Sequence, residues 1–453
     1  MNSTRTVITG LGLVSPFGFT QEALAEGLYA GKNAVQPLPQ ESFPELFNEL
    51  AEIIRFAAPC TQFTGDIDDF AMEDKNLKRT IRKSLKILCR ETQMAIAATQ
   101  RALTDARLDF HGEPQKNVGL MYGSDYMLSD PRLTEAAFRT SMDGEGVFHS
   151  EKIGANGVAS VMPLWLLTWL PNMPACHITI LNQFIGPNNS LTLNEASANA
   201  TLAYAHNTIE RGIADVMVTG ATGTRLQNIR TFQVAINEKL ADPSVSPELA
   251  SRPFDRARTG QVLGEGAATL ILESLEHAKQ RGAKVYAEYL AACDTMAGKH
   301  NKDDLTKPLL VPDHKAAFIN VMRRTLAMAG KTPDQVGFLV AHGLGDPDID
   351  RAEAEAIDEV FGSRSTPLPV VAAKGTFGNL GAGAGAIELI AGITALNRGT
   401  LFPTRNFEAF DEGTNYQFRV VTDSETPAGD CFLHISTCGP TAQTSAALIG
   451  KCS

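Results

Sequence analysis

Short apolar runs punctuated by glycine alternate with helical stretches along this 453-residue chain, and the alternation occurs once in each half. Strands in that order pair largely in parallel, and the helices between them cover the sheet faces. The first half opens with a β-like run, Thr6 to Thr9, and carries one long charged helix, Lys75 to Ala106. A buried strand, Val118 to Ser124, follows, and residues 125–175 read as an insertion or a partner-facing layer. The Ser190–Asn194 strand, a helix to Arg211 and the strand Asp215–Thr219 complete a βαβ unit. The second half repeats the theme. Gly264 to Ser274 reads as a strand, Leu275 to Ala292 as a short helix and strand, and His314 to Gly330 as an amphipathic helix. Val336 to Gly343 is a buried strand, Pro369 to Gly399 is strand, Gly-rich turn and helix, and Phe432 to Gly439 is the last strand. The expected organisation is two α/β units, 1–262 and 263–453, alike in topology but without a residue-level repeat.

The length is too great for one ordinary core, which agrees with two units. A net charge of −11 argues against general nucleic-acid binding, which needs a basic face. The most apolar stretch, Val161 to Pro171, is too short to span a bilayer, so no membrane span is expected. The seven cysteines include no C-x-x-C pair, and no zinc-like His/Cys spacing occurs, so a metal is not expected and a reduced, cytoplasmic setting is.

The segment Gly186 to Ala221 reads as strand, tight turn, helix and strand, with Glu195 at the turn. A carboxylate there is electrostatically at ease, because the free N–H groups of a helix N-terminus favour an anion. The glycines of Gly375 to Gly385 lack the Lys-Ser/Thr ending of a phosphate loop and read as sites of close backbone packing.

Several stretches resemble the β-ketoacyl-acyl carrier protein synthases, condensing enzymes of thiolase fold. They are VITGLGLVSPFG, NMPACHITI, RGIADVMVTGAT, Ser251 to Glu288, VAHG and KGTFGNLGAGAGAIE, in order over nearly the whole chain. The resemblance implies a duplicated thiolase-like α/β/α/β/α sandwich, and dimerisation through the first half. In that family a helix-terminal cysteine takes the acyl chain, and two histidines serve decarboxylation and condensation. Carried over, the cysteine becomes Glu195, the first histidine is His342, the second becomes Asn379, and the lysine is Lys374. The supporting acidic residues correspond to Asp350, Glu353 and Glu388. The family's pantetheine-holding threonines are replaced by Leu344 and Asp346, and its glycine gate by Cys438, Gly439 and Pro440.

An acyl group on Glu195 would be a mixed anhydride, a far poorer carrier than a thioester. The resemblance therefore implies a homologue of fatty acid or polyketide biosynthesis unable to condense, similar to a chain length factor that partners an active synthase. Two alternatives stand beside it: a malonyl carrier-protein decarboxylase, and a non-catalytic scaffold for an acyl carrier or acyl ligand. Glu195 is expected to fill the nucleophile position and pair with His342, which would hold that histidine protonated. No bound cofactor is implied, since phosphopantetheine arrives on the carrier protein. The implied partners are the acyl carrier protein and, in a homodimer or heterodimer, a ketosynthase. The basic cluster Lys75, Lys78, Arg79, Arg82, Lys83, Lys86 and Arg90 is the expected carrier-docking helix, its sign opposite to that of the whole chain.

Overall fold

The structure is a computed structural model that describes residues 4–38, 50–108, 110, 113–300 and 310–452. Its first set of strands is β1 (Thr6–Val14), β2 (Val118–Ser124), β3 (Asn188–Leu191), β4 (Val216–Thr224) and β5 (Leu263–Ser274). They lie in the order β3-β2-β4-β5-β1. The second set is β6 (Ala287–Met296), β7 (Phe338–Val340), β8 (Leu368–Val371), β10 (Cys431–Cys438) and β11 (Gln443–Gly450), with β9 (Phe418–Val420) added outside β8. Its order is β8-β7-β10-β11-β6. The two orders are the same permutation. In each set the first three strands run parallel and the last two antiparallel. A short pairing of Thr6–Ile8 with Ala287–Tyr289 joins the sets edge to edge. The duplication expected from the sequence is thus visible as topology.

The helices that matter are α1 (Lys75–Ser84), α2 (Arg90–Asp105), α3 (Met173–Asn182), α4 (Ser197–Glu210), α5 (Asn228–Asn237), α6 (His314–Met328), α7 (Pro347–Phe361) and α8 (Ala382–Arg398). Helices α4 and α8 contact each other and strands of both sets, so they form the middle layer. Helix α2 covers the outer face of the first set, and α6 with α7 that of the second. The layers run α/β/α/β/α. Burial on both faces explains why β1, β2, β4 and β10 are buried along their whole lengths rather than alternating. Helix α8 can enter the middle layer because its first turn is alanine and glycine: a Cβ on Gly383 would lie 2.0 Å from the Gly266 carbonyl oxygen.

Two sequence expectations, one helix and the last strand, are corrected. The single helix from Lys75 to Ala106 is two, separated by a 3-10 turn at Leu85–Ile87 and by extended Leu88 and Cys89. Helix α1 buries only Leu77 and Ile81, whereas α2 is buried from Met94 to Gln100 against β1 and β5. No one straight helix satisfies both faces, so packing overrides a locally favourable sequence. The strand from Phe432 is not the last, because β11 returns beside it over eight paired positions. The division at 262/263 falls in front of β5, which pairs with β1 and β4. We propose that the unit boundary lies after Ser274.

Candidate active site

The turn between β3 and α4 is a 3-10 turn, Asn194–Ala196, in which Asn194 adopts φ 49°. Asparagine tolerates that left-handed conformation better than most residues. The turn sends the Glu195 side chain into the interior, where the residue is 1% exposed. Its Oε1 accepts from an Arg225 guanidinium N–H and, at 2.9 Å, from Asn379 Nδ2. Arg225 is itself fully buried and donates from its other terminal nitrogen to Glu238 Oε1 at 2.9 Å. Gln261 closes the ring, donating to Glu238 at 2.8 Å and accepting from Asn379 at 2.8 Å. Burial alone would push the Glu195 carboxyl up. The Arg225 charge and the Asn379 hydrogen bond outweigh it and hold the group below its ordinary range.

The expected Glu195–His342 pair is not formed. Glu195 Oε2 and His342 Nε2 each lack a hydrogen-bond partner among the described residues. His342 Nδ1 instead faces Lys374 Nζ at 3.5 Å and the Ser436 hydroxyl at 3.4 Å. Burial, then the positive charge of Lys374, pushes the His342 imidazole well below its ordinary value, so it is neutral rather than protonated. The reason for the miscarried expectation is a competitor: a permanently charged guanidinium outbids an imidazole for a buried carboxylate.

Lys374 donates to Glu388 Oε1 at 2.6 Å and to the His342 carbonyl at 2.8 Å. Glu388 also meets His434 Nε2 at 3.2 Å, and His434 Nδ1 lies 2.8 Å from Asn199 Oδ1. The structure therefore brings Lys374, Glu388 and His342 together, and adds His434. Asp350 and Glu353 hold the backbone rather than a side chain. Glu353 accepts from the His342 and Gly343 N–H groups at 2.7 and 2.8 Å. Asp350 accepts from Leu344 at 2.8 Å and from Gly345 and Phe254. Burial pushes the Glu353 carboxyl up to about 8 and that of Asp350 to about 6. The positions expected to lack pantetheine-holding hydroxyls have structural duties instead. Leu344 joins the core of the second unit, and Asp346 caps α7, accepting from Asp348 and Ile349 N–H.

Cys438 ends β10, and Gly439 and Pro440 begin the turn into β11. The Cys438 thiol accepts from Asn194 Nδ2 at 3.4 Å, and burial with Glu195 nearby pushes it up to about 11. It is therefore an inert thiol rather than a displaced nucleophile. Cys438 and Pro440 line a cleft of about 220 Å³ together with Asn194, Arg225, Arg230 and Tyr126. On α1, Lys75, Arg79, Arg82 and Lys83 are exposed, as is Lys86 in the turn that follows, and Lys78 pairs with Asp68 at 3.0 Å. Arg90 leaves this surface: it begins α2 and binds Glu265 at 2.6 Å. The residues that sequence reasoning missed are Arg225, Glu238, Gln261 and His434. A trace of Arg225 was available, since an arginine directly follows the apolar run Val216–Thr224.

A buried helix-terminal position, a neutral histidine and a buried lysine–glutamate pair converge between two duplicated units. Residues 3–278 match the beta-ketoacyl synthase N-terminal domain, and residues 292–408 match the C-terminal domain. The chain belongs to the beta-ketoacyl synthase family. It is 29% identical over 422 residues to the 3-oxoacyl-[acyl-carrier-protein] synthase 2 of Coxiella burnetii, covering 92% of each chain. It is 31% identical over 410 residues to the chloroplastic 3-oxoacyl-[acyl-carrier-protein] synthase I of Arabidopsis thaliana, covering 89% of this chain and 77% of that one. Among solved structures, a beta-ketoacyl synthase from Burkholderia phymatum superimposes with a TM-score of 0.81 at 22% identity, covering 99% of this chain and all of the other. The ishigamide ketosynthase/chain length factor superimposes with a TM-score of 0.78 at 22% identity, over 100% of both chains. These likenesses establish the thiolase-like fold. Among the described residues, no helix is long and apolar enough to cross a membrane.

Proposed function

We propose that this chain is a non-condensing β-ketoacyl synthase homologue that acts as the partner of an active ketosynthase, in the manner of a chain length factor. The observation that carries the reading is the state of the nucleophile position. Glu195 is locked between Arg225 and Asn379 in a buried, hydrogen-bonded ring. Condensation needs a thiolate to take the acyl chain and two imidazoles to decarboxylate and polarise the extender. Here the thiol position holds an anion already neutralised, and the second imidazole position holds an amide that cannot shuttle a proton. An acyl carrier protein, bearing its own phosphopantetheine, is the second proposed partner, received at the exposed lysines and arginines of α1.

The test is co-expression with a ketosynthase whose Cys-His-His set is intact, followed by affinity capture and native mass measurement. A one-to-one complex is expected, and product chain length should depend on its presence. Recovery of this chain only with itself, or condensation by it alone, would overturn the reading.

One observation favours a second reading, malonyl carrier-protein decarboxylase. His342 is neutral and its Nε2 is free to bond a thioester oxygen. Release of carbon dioxide from malonyl carrier protein, lost in His342→Ala, would select it.

A further inference from the structure

Arg230 is a buried guanidinium with no ion-paired carboxylate among the described residues. It stands on α5, is 5% exposed, and stacks on Tyr126 with its central carbon 4.3 Å from the ring centroid. Among the described residues its one side-chain hydrogen bond runs from Nη1 to the neutral Gln233 Oε1 at 2.9 Å, and its Nε has no partner. A guanidinium has five donor N–H groups, and burying one without an anion is costly. Asp125 and Glu195 both feel its charge, but among the described residues neither forms an ion pair with it. Arg225 already holds both Glu195 and Glu238. Asp125 is the remaining carboxyl nearby, and its Oδ2 is likewise unpartnered. Burial pushes Asp125 up to about 6, and the charges of Arg230 and then Arg225 offset only part of that.

Arg230 lines the cleft of about 220 Å³ described above. On the same cleft Asn194 presents an Oδ1 acceptor that also lacks a partner, its Nδ2 being spent on Cys438. A liquid-like share of roughly 30 Å³ per water-sized group gives the cleft room for about seven such groups. Its wall thus offers an unpaired cation and an unused acceptor, at a size fit for one small molecule.

We propose that this cleft binds a short carboxylic acid that also carries a hydroxyl or amide. The carboxylate meets Arg230, whose planar fork suits two parallel hydrogen bonds. The ligand's O–H or N–H donates to Asn194 Oδ1. The charged lining disfavours a long aliphatic acyl chain, since a ligand without polar groups would leave the guanidinium desolvated and unpaired. This site does not depend on the partner role proposed above, because every group belongs to this chain.

The experiment is calorimetric titration of the purified full chain, without any partner, with 4-hydroxybutyrate, its neutral amide 4-hydroxybutyramide, and butyrate. Saturable binding of 4-hydroxybutyrate is expected. The amide should bind about tenfold weaker or worse, and butyrate a few-fold weaker. Arg230→Met should abolish binding, and Arg230→Lys should restore part of it. Equal affinity for the acid and its amide, or no saturable binding of the acid, would overturn the proposal. So would undiminished binding by a folded Arg230→Met variant. If that variant does not fold, the acid-against-amide comparison on the wild-type chain decides alone.

Discussion

At the scale of single residues, the surroundings of Glu195 are a structural ion-pair ring. Arg225 is its hub, with Glu195 on one side and Glu238 on the other. Removing the hub strands two buried carboxylates, so Arg225→Met is expected to cost about 3–5 kcal/mol of stability. Glu195→Gln keeps an oxygen for Asn379 and Arg225, and Arg225 keeps Glu238, so its cost should stay below about 3 kcal/mol. Urea unfolding of both variants checks the order; a Glu195→Gln variant less stable than Arg225→Met would refute the hub assignment. Restoring the thiol makes a second expectation. In Glu195→Cys the thiol sits beside Arg225, which favours its thiolate, so it should be alkylated or acylated near neutral pH. On the proposed reading condensation should still be absent, because Asn379 stands where the resemblance implies a second histidine and groups acting as a unit are not repaired singly. Mass measurement on the carrier protein reads both steps, and β-ketoacyl product from this variant would show that the remaining substitutions are tolerated.

At the scale of elements, the break between α1 and α2 matters most. It turns Arg90 inward to Glu265 and leaves α1 as a short, basic, exposed helix held by Leu77 and Ile81. Asp74 caps it, accepting from Leu77 N–H at 2.6 Å. Reversing Arg79, Arg82 and Lys83 to Glu should leave stability nearly unchanged, since all three are exposed. It should weaken carrier-protein binding and flatten its salt dependence. Surface-plasmon titration at two ionic strengths measures both; unaltered affinity would place carrier docking elsewhere. The helical periods from Lys75 to Ser84 and from Arg90 to Asp105 were both legible in the sequence. The break between them was not, because it carries no glycine or proline and is imposed by what each segment packs against. Helix α7 shows the converse. Its Asp-Pro start signals a capped helix outright, and the structure uses Asp346 in that way.

At the scale of the whole molecule, buried titratable groups set the pH dependence of stability. Burial raises the carboxyls of Glu91 to about 7 and Glu353 to about 8, above their ordinary 4.5. Folded-state protons held there are already lost by the unfolded chain, so their stabilisation is full at low pH and drains as pH rises through 7 and 8. The buried imidazoles of His342 and His434 are pushed below 6.5. They act in the other direction: the unfolded chain takes up protons below 6.5 that these groups refuse, so stability falls on acidification. Thermal stability should therefore peak near pH 6.5 and decline towards pH 8, with Glu353→Gln flattening the alkaline side. A Tm that climbs steadily to pH 8 would refute this balance. The sequence by itself determined the family and the duplicated α/β order, and it set Glu195 and Asn379 where the resemblance implies a thiol and a second histidine. Those follow from strand and helix periods and from residue identities along the chain. Tertiary structure decided what Glu195 touches. Arg225, Glu238, Gln261 and Asn379 lie far apart in sequence, and only the packing of α4 and α8 between the two strand sets closes them into one ring. Likewise, that Arg230 is buried with no ion-pair partner among the described residues is a property of its surroundings, which no reading along the chain could supply.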